Sequence, residues 1–390
     1  MKKISRRSFL AVCGAMAATA ALTACGGSSA STAGTTASGS TAGSAAGSAA
    51  SGEVFELKLS TTQTDTSMIY QGLQAAADKV AEDTDGHVKV TIYPSSQLGG
   101  EEDMIDQALQ GMGIAVLTDA GRLSSYVNDI GIMNMAYIVD NYEDGMKLMA
   151  TDTFKGWDAD LANNGICGLC YNYYDGARSF MGHKAYNTPA DLKGAVIRTP
   201  GADPYVESIS AMGATPYNIA WSEVYNGIQT KSIDGCEVQY TSAVSSKIYE
   251  VCEYVSKTEH INLFNMVICG QAWFDKLPAE YQEVMKKDFN DCAYNNAQDI
   301  IAAQADMEKT QAELQEKEYT ATAGGGVVSA TVDGKHMVKA ITIDPEAVDP
   351  DDVEMLQDMV IAAVNEAIRN AMDDMSASMG KITGGMNLPF

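Results

Sequence analysis

The sequence predicts an α/β fold followed by a small α+β domain built as helix, antiparallel strands and helix. Three observations carry this reading. From residue 53 to about 304, strand-like and helix-like runs alternate, the rhythm of helices covering open sheets. From 305 to 390 the pattern changes to one hairpin flanked by two long helical stretches. Residues 1–52 show neither pattern and lack the apolar periodicity of a core.

The first 25 residues read as an export signal. Lys2, Lys3, Arg6 and Arg7 form a basic start, and residues 9–22 are an uncharged, mostly apolar run. That run is short for a membrane span and fits a signal segment. Leu22-Thr23-Ala24-Cys25 resembles a bacterial lipoprotein box, in which the Cys25 thiol takes the lipid. Ser5-Arg6-Arg7-Ser8-Phe9-Leu10 resembles a twin-arginine motif, which implies export of an already folded chain. Residues 26–52 are almost entirely Gly, Ser, Ala and Thr, a flexible tether. The mature protein is thus expected to be anchored to the outer face of the cell membrane without spanning it.

In the body, Leu57 and Leu59 mark a strand. Leu73, Ala76, Ala77, Val80 and Ala81 recur at helical spacing until Gly86. Val88, Val90 and Ile92 alternate as a strand, residues 104–109 read as a helix and 114–117 as a strand. Residues 166–173 form a further strand-like run. Residues 195–198 follow as a strand, 204–212 as a helix and 221–228 as another. In such sheets ligands bind at the carboxyl ends of strands.

Composition narrows the chemistry. The net charge is −25, and the last segment, 305–390, holds 6 basic and 16 acidic side chains. An acidic body is poorly suited to non-specific binding of polyanions. Of eight cysteines, Cys13 leaves with the signal and Cys25 is the lipid site. Cys167 and Cys170 form a C-x-x-C, but in an extended strand they point to opposite faces. No second such pair exists, and His87, His183, His260 and His336 are scattered, so no metal site is expected. The six remaining thiols either pair in the exported chain or stay reduced and buried. No nucleophile elbow, phosphate loop, zinc-protease or dinucleotide motif occurs, which favours a binder without cofactor over an enzyme.

The run from Asn187 to Gly201, NTPADLKGAVIRTPG, resembles the core signature of the DctP-type solute receptors of TRAP transporters. So do Ala211-Met212-Gly213-Ala214-Thr215-Pro216, Trp221-Ser222-Glu223-Val224-Tyr225, Gln229, and Ile233-Asp234-Gly235-Cys236-Glu237. Tyr93-Pro94, Gln97-Leu98-Gly99-Gly100-Glu101, Met104, Trp273 and Leu277-Pro278 extend the likeness over roughly 55–300. It implies a two-lobed, periplasmic-binding-protein-like clamshell at 53–304, C-terminally truncated, that takes small organic acids to a TRAP permease. The family's selectivity arginine falls on Arg198, whose parallel N–H donors match a carboxylate. Arg178 matches a second arginine, and Asp119 sits where a polar ligand contact occurs. Glu237 and Gln239 complete the expected ligand set. The Asn that the family often has after this glutamate is Val238 here, so a polar contact is either lost or moved to Gln239, which weighs against carrying over dicarboxylate or sialic-acid recognition. Trp221 and Tyr217 either line the cleft or fill a lobe core, with core favoured for Trp221.

In the tail, residues 307–317 form a polar helix pattern and Gly324-Gly325-Gly326 precede a strand at 327–332. Asp333-Gly334 turns the chain into Val338, Ile341 and Ile343. Asp349-Pro350-Asp351-Asp352 caps a helix with Val353, Leu356, Val360, Val364 and Ile368 as its apolar stripe. The glycine triplet, Ile343-Asp344-Pro345, Asp351-Asp352-Val353-Glu354-Met355-Leu356 and Gly380-Lys381-Ile382-Thr383-Gly384-Gly385 resemble the YbaB/EbfC family of nucleoid-associated proteins. That resemblance implies a homodimer through 305–390 and DNA binding, for which Lys335, Lys339, Arg369 and Lys381 are the candidate bases. DNA is a partner only where the tail faces the cytoplasm, which conflicts with the export signal. The late receptor helix at 279–304 runs unbroken into 307–311, so two helices are joined in register, by gene fusion or by a join made in sequence assembly. Two functions follow: an exported, lipid-anchored acid receptor, or a DNA-binding nucleoid dimer.

Overall fold

A computed structural model describes residues 52–382. The export signal, Cys25 and all but the last residue of the tether lie outside the described residues. Among the described residues no helix is long and apolar enough to cross a membrane.

The first lobe begins with β1 (Phe55–Ser60), α1 (Met68–Asp83), β2 (Val88–Tyr93), α2 (Glu101–Leu109) and β3 (Ile114–Asp119). Leu57 and Leu59 alternate inward from β1, and α1 turns Leu73, Ala76 and Val80 onto the same core. Ser67 caps α1 by accepting from the Tyr70 amide at 3.1 Å. Two helices, α3 (Tyr142–Met149) and α4 (Asp152–Asn163), cover the other side of this lobe.

Next comes β4 (Ile166–Gly182), one of two strands of 17 residues that serve both lobes. The second lobe holds β5 (Val196–Arg198), α5 (Asp203–Ala211), β6 (Thr215–Tyr217), α6 (Trp221–Gln229) and β7 (Gly235–Gln239). Its partner long strand, β8 (Tyr254–Gly270), returns to the first lobe. All eight strands form one sheet in the order β2-β1-β3-β8-β4-β7-β5-β6. β1 pairs in parallel with β2 and β3, and β5 with β6 and β7. Antiparallel β4 and β8 stand between these two parallel groups. This is the clamshell arrangement expected above.

The β4–β8 ladder changes register four times. One shift lies between Gly168 and Cys170, and it turns Cys167 and Cys170 into the same core, with Leu169 and Tyr173. The expectation that this pair faces opposite ways fails because strict alternation ends at a bulge. All six cysteines of the described residues are free thiols.

α7 (Ala279–Glu316) is a single helix of 38 residues. Met285, Phe289, Ala293 and Ile300 pack it on the first-lobe core. Burying Phe289 completely is worth about 2–3 kcal/mol. The 304/305 boundary falls inside this helix, which passes without interruption into the tail.

The tail is a three-stranded antiparallel sheet, β9 (Glu318–Ala323), β10 (Val328–Asp333) and β11 (Val338–Ile343), in the order β11-β10-β9. Gly324, Gly325 and Gly326 all have positive φ (63°, 77° and 103°), a path that side chains with a Cβ resist. At the hairpin, Asp333 accepts from the amides of Lys335 and Met337 at 3.0 and 2.9 Å. α8 (Val353–Ile382) is capped by Asp352, which accepts from the Met355 amide at 3.0 Å. Ala363, Ala367 and Ala371, four residues apart, are buried, and their small size lets α8 lie close on β9 and β10.

Candidate functional site

A cleft opens where β3, β4, β5, β7 and β8 meet. Its cavity volume is about 60 Å³. Arg198, Arg178, Asp119 and Gln239 all line it. Glu237 does not; it is completely buried behind Arg178.

The arginines differ in their partners. Arg178 gives its guanidinium to Glu237. Its Nε and Nη2 take the two carboxylate oxygens (2.8 Å for Nη2), and Nη2 also reaches the Glu237 backbone carbonyl at 2.7 Å. Glu237 accepts a further bond from the Thr199 hydroxyl at 2.9 Å. Burial pushes the Glu237 carboxyl up, but the Arg178 charge, the His260 ring and the Arg178 hydrogen bonds together outweigh it and hold the carboxyl at about 2. Arg122, also in the cleft, is shared by Glu101, Glu102 and Asp119 at 3.4, 3.0 and 2.5 Å.

Arg198 is the exception. It ends β5, is 4% exposed, and has no carboxylate within ion-pair distance among the described residues. Its Nε donates to the Ile219 carbonyl at 3.2 Å, and its guanidinium lies 5.3 Å from the Trp221 ring centroid. Trp221 therefore backs Arg198 in the cleft while its edge packs on the second-lobe core, and Tyr217 is half exposed. Burial, reinforced by repulsion from Arg122 and Arg178, lowers the Arg198 pKa to about 10. A cation buried without a counter-ion can take up an anion.

Other polar groups line the same cleft. The buried amide nitrogens Gln239 Nε2 and Asn265 Nδ2 have no hydrogen-bond partner among the described residues. Asp175 accepts from Thr241 Oγ1, Ser242 Oγ and Gln63 Nε2 at 2.6, 2.8 and 3.2 Å. Burial raises its pKa in spite of those bonds. Asp119 caps the turn after β3 and accepts from Asn134 Nδ2 at 3.2 Å. Arg122, Asp175, Gln63 and Asn265 escaped sequence reasoning. Only Arg122 left a signal, its i,i+3 spacing from Asp119.

Three of the tail bases have acidic neighbours. Lys335 faces Glu316 at 3.5 Å, Lys339 faces Asp333 at 3.4 Å and Arg369 faces Glu366 at 2.7 Å. Lys381 is in the last turn of α8. A depression between α8 and the glycine turn is lined by Asp352, Glu354 and Asp358. No group of side chains able to hold a metal occurs among the described residues.

Residues 59–323 match the bacterial extracellular solute-binding proteins of family 7. Residues 286–386 match the YbaB/EbfC DNA-binding family. The TRAP periplasmic solute-binding protein of Actinobacillus succinogenes, solved with bound L-galactonate, superposes with a TM-score of 0.63. It is 27% identical, and the alignment covers 65% of this chain and 84% of that one. The sialic acid-binding periplasmic protein SiaP of Vibrio cholerae is 24% identical over 64% of this chain and 78% of its own length. A nucleoid-associated protein of Alkaliphilus metalliredigens is 57% identical over 24% of this chain and 83% of its own length.

Proposed function

Because the chain belongs to the extracellular solute-binding proteins of family 7 through residues 59–323, and to the YbaB/EbfC family through residues 286–386, we propose that it is an extracytoplasmic receptor for a small organic acid that hands its ligand to a TRAP permease. It is a binder, not an enzyme, and is held at the membrane by lipid on Cys25. The observation that carries this reading is Arg198, a guanidinium buried in the cleft wall without a carboxylate partner. A ligand carboxylate supplies that partner through two parallel N–H···O bonds. Arg178 holds Glu237 and so positions the wall more than it binds. Gln239 Nε2 and Asn265 Nδ2 donate to further ligand oxygens, and Asp175 and Asp119 accept from ligand hydroxyls. A hydroxylated acid fits this mixture better than a plain dicarboxylate, which needs a second unpaired cation. L-galactonate in the Actinobacillus succinogenes protein is a ligand of that kind.

The test is a melting-temperature screen of the full chain with aldonates, hydroxy acids and dicarboxylates. A saturable upward shift by a hydroxylated acid is expected, and Arg198→Ala weakens that ligand by about 30- to 1,000-fold. Unchanged affinity in Arg198→Ala would remove Arg198 from the site.

A second reading, a DNA-binding dimer, is favoured by the nucleoid-associated relatives of the tail. Local acidic partners of Lys335, Lys339 and Arg369 weigh against it. We assign residues 305–390 to dimerisation first, since the exposed edge strand β11 and the exposed Val353, Met355 and Ile361 of α8 offer unpartnered apolar surface. Retardation of duplex DNA by the full chain, weakening steeply with salt, would support the second reading.

A further inference from the structure

We propose that Cys167 and Cys269 form a disulfide in the exported protein. They are direct partners in the antiparallel β4–β8 ladder. Such partners stand about 4.5–5.5 Å apart at Cα, inside the 4.4–6.8 Å span of disulfides, with side chains on one face of the sheet. Both side chains enter the same core, beside Leu169 and Val267, at 2% and 0% exposure. The Cys167 thiol is near enough to help push the Cys269 thiol up, beside the larger effect of burial. Cys170 and Cys292 are likewise neighbours, as are Cys236 and Cys252, but neither pair shares a ladder position.

The bond forms by exchange with an external disulfide before the core closes. One cysteine gives up its proton, attacks that disulfide and expels a thiolate, leaving a mixed disulfide. The second cysteine, also deprotonated, attacks the mixed disulfide at the first cysteine's sulfur and expels the second thiolate. One Sγ–Sγ bond is made, and two electrons and two protons end on the external dithiol. The compartment must be oxidising, so the proposal rests on the extracytoplasmic reading. The staple sits at the first-lobe end of the two strands that join the lobes. It fixes their register there and leaves their cleft-lining stretch, around Arg178 and Ile261, unbridged.

The experiment uses the full chain with its own signal, exported by a bacterial host, beside the same chain retained in the cytoplasm. Free thiols are blocked under denaturing conditions and the peptides mapped by mass spectrometry. A linked peptide pair containing Cys167 and Cys269 is expected in the exported chain and absent from the retained one. Two blocked thiols at these positions in exported protein, or linkage of either to another cysteine, overturns the proposal. In Cys167→Ala/Cys269→Ala the melting temperature should fall roughly 5–10 °C below that of the oxidised protein. Ligand-induced shifts are scored separately, so failure of the acid-receptor reading leaves the peptide map decisive.

Discussion

Two buried arginines of the same cleft have different partners. Arg178 is neutralised by Glu237, whereas Arg198 faces the cleft without a counter-ion. The Glu237 carboxyl is held at about 2 against an ordinary 4.5. Its folded pKa is depressed, so the stability it adds is fully present above about pH 4.5 and is lost as pH falls through about 2. For this completely buried group that is about 3 kcal/mol. Denaturant unfolding of wild type and Glu237→Gln should therefore differ widely at pH 7 and much less at pH 3. An equal gap at both values would mean that charge is not what joins Glu237 to Arg178. Sequence made Arg198 visible because it sits in a contiguous motif at a strand's end. Asp175 and Asn265 were invisible because their roles come from groups brought in from elsewhere: Ser242 and Gln63 around Asp175, and the cleft itself around Asn265.

Helices and strands with strong periodicity were legible, and their ends were not. β4 was expected over 166–173 and continues to Gly182, because bulges and polar cleft residues break its alternation while the ladder to β8 persists. Apolar spacing also hides close helix contacts. Gly72 on α1 faces Asn296 on α7, and a Cβ there would lie 2.5–2.8 Å from the Asn296 side chain. Asn296 Nδ2 donates to the Met68 carbonyl at 2.8 Å, so it has reason to stay. Gly72→Ala should destabilise the protein by about 1–3 kcal/mol, although alanine is the better helix former. The denaturant midpoint measures this; a rise would show that α1 and α7 can separate freely.

For the whole chain, the junction matters most. Between Ile300 and Leu314 no side chain of α7 is fully buried. The helix joins two packed bodies through a solvated stretch. Amides at 302–312 should exchange with deuterium roughly 10- to 100-fold faster than those at 286–300. Uniform protection along α7 would mean that the receptor and tail unfold as one unit. The two matched families overlap at 286–323, so this one helix satisfies both patterns. That overlap is why the join was legible as an unbroken helix and not as a linker. Antibodies to 55–300 and to 305–390 should stain one band in the membrane fraction of the native cells. Two bands of different size, in different fractions, would separate the halves.

In a dimer, the unbroken helix would act as a ruler. Thirty-eight residues at ~1.5 Å each make a rod of about 57 Å. Two copies joined tail to tail would hold their clefts apart by the stretch of each helix beyond Ile300, ~24 Å for its 16 residues. A transporter partner would then meet a pair of loaded cups at a set spacing, and capture of one cup would raise the local concentration of the other.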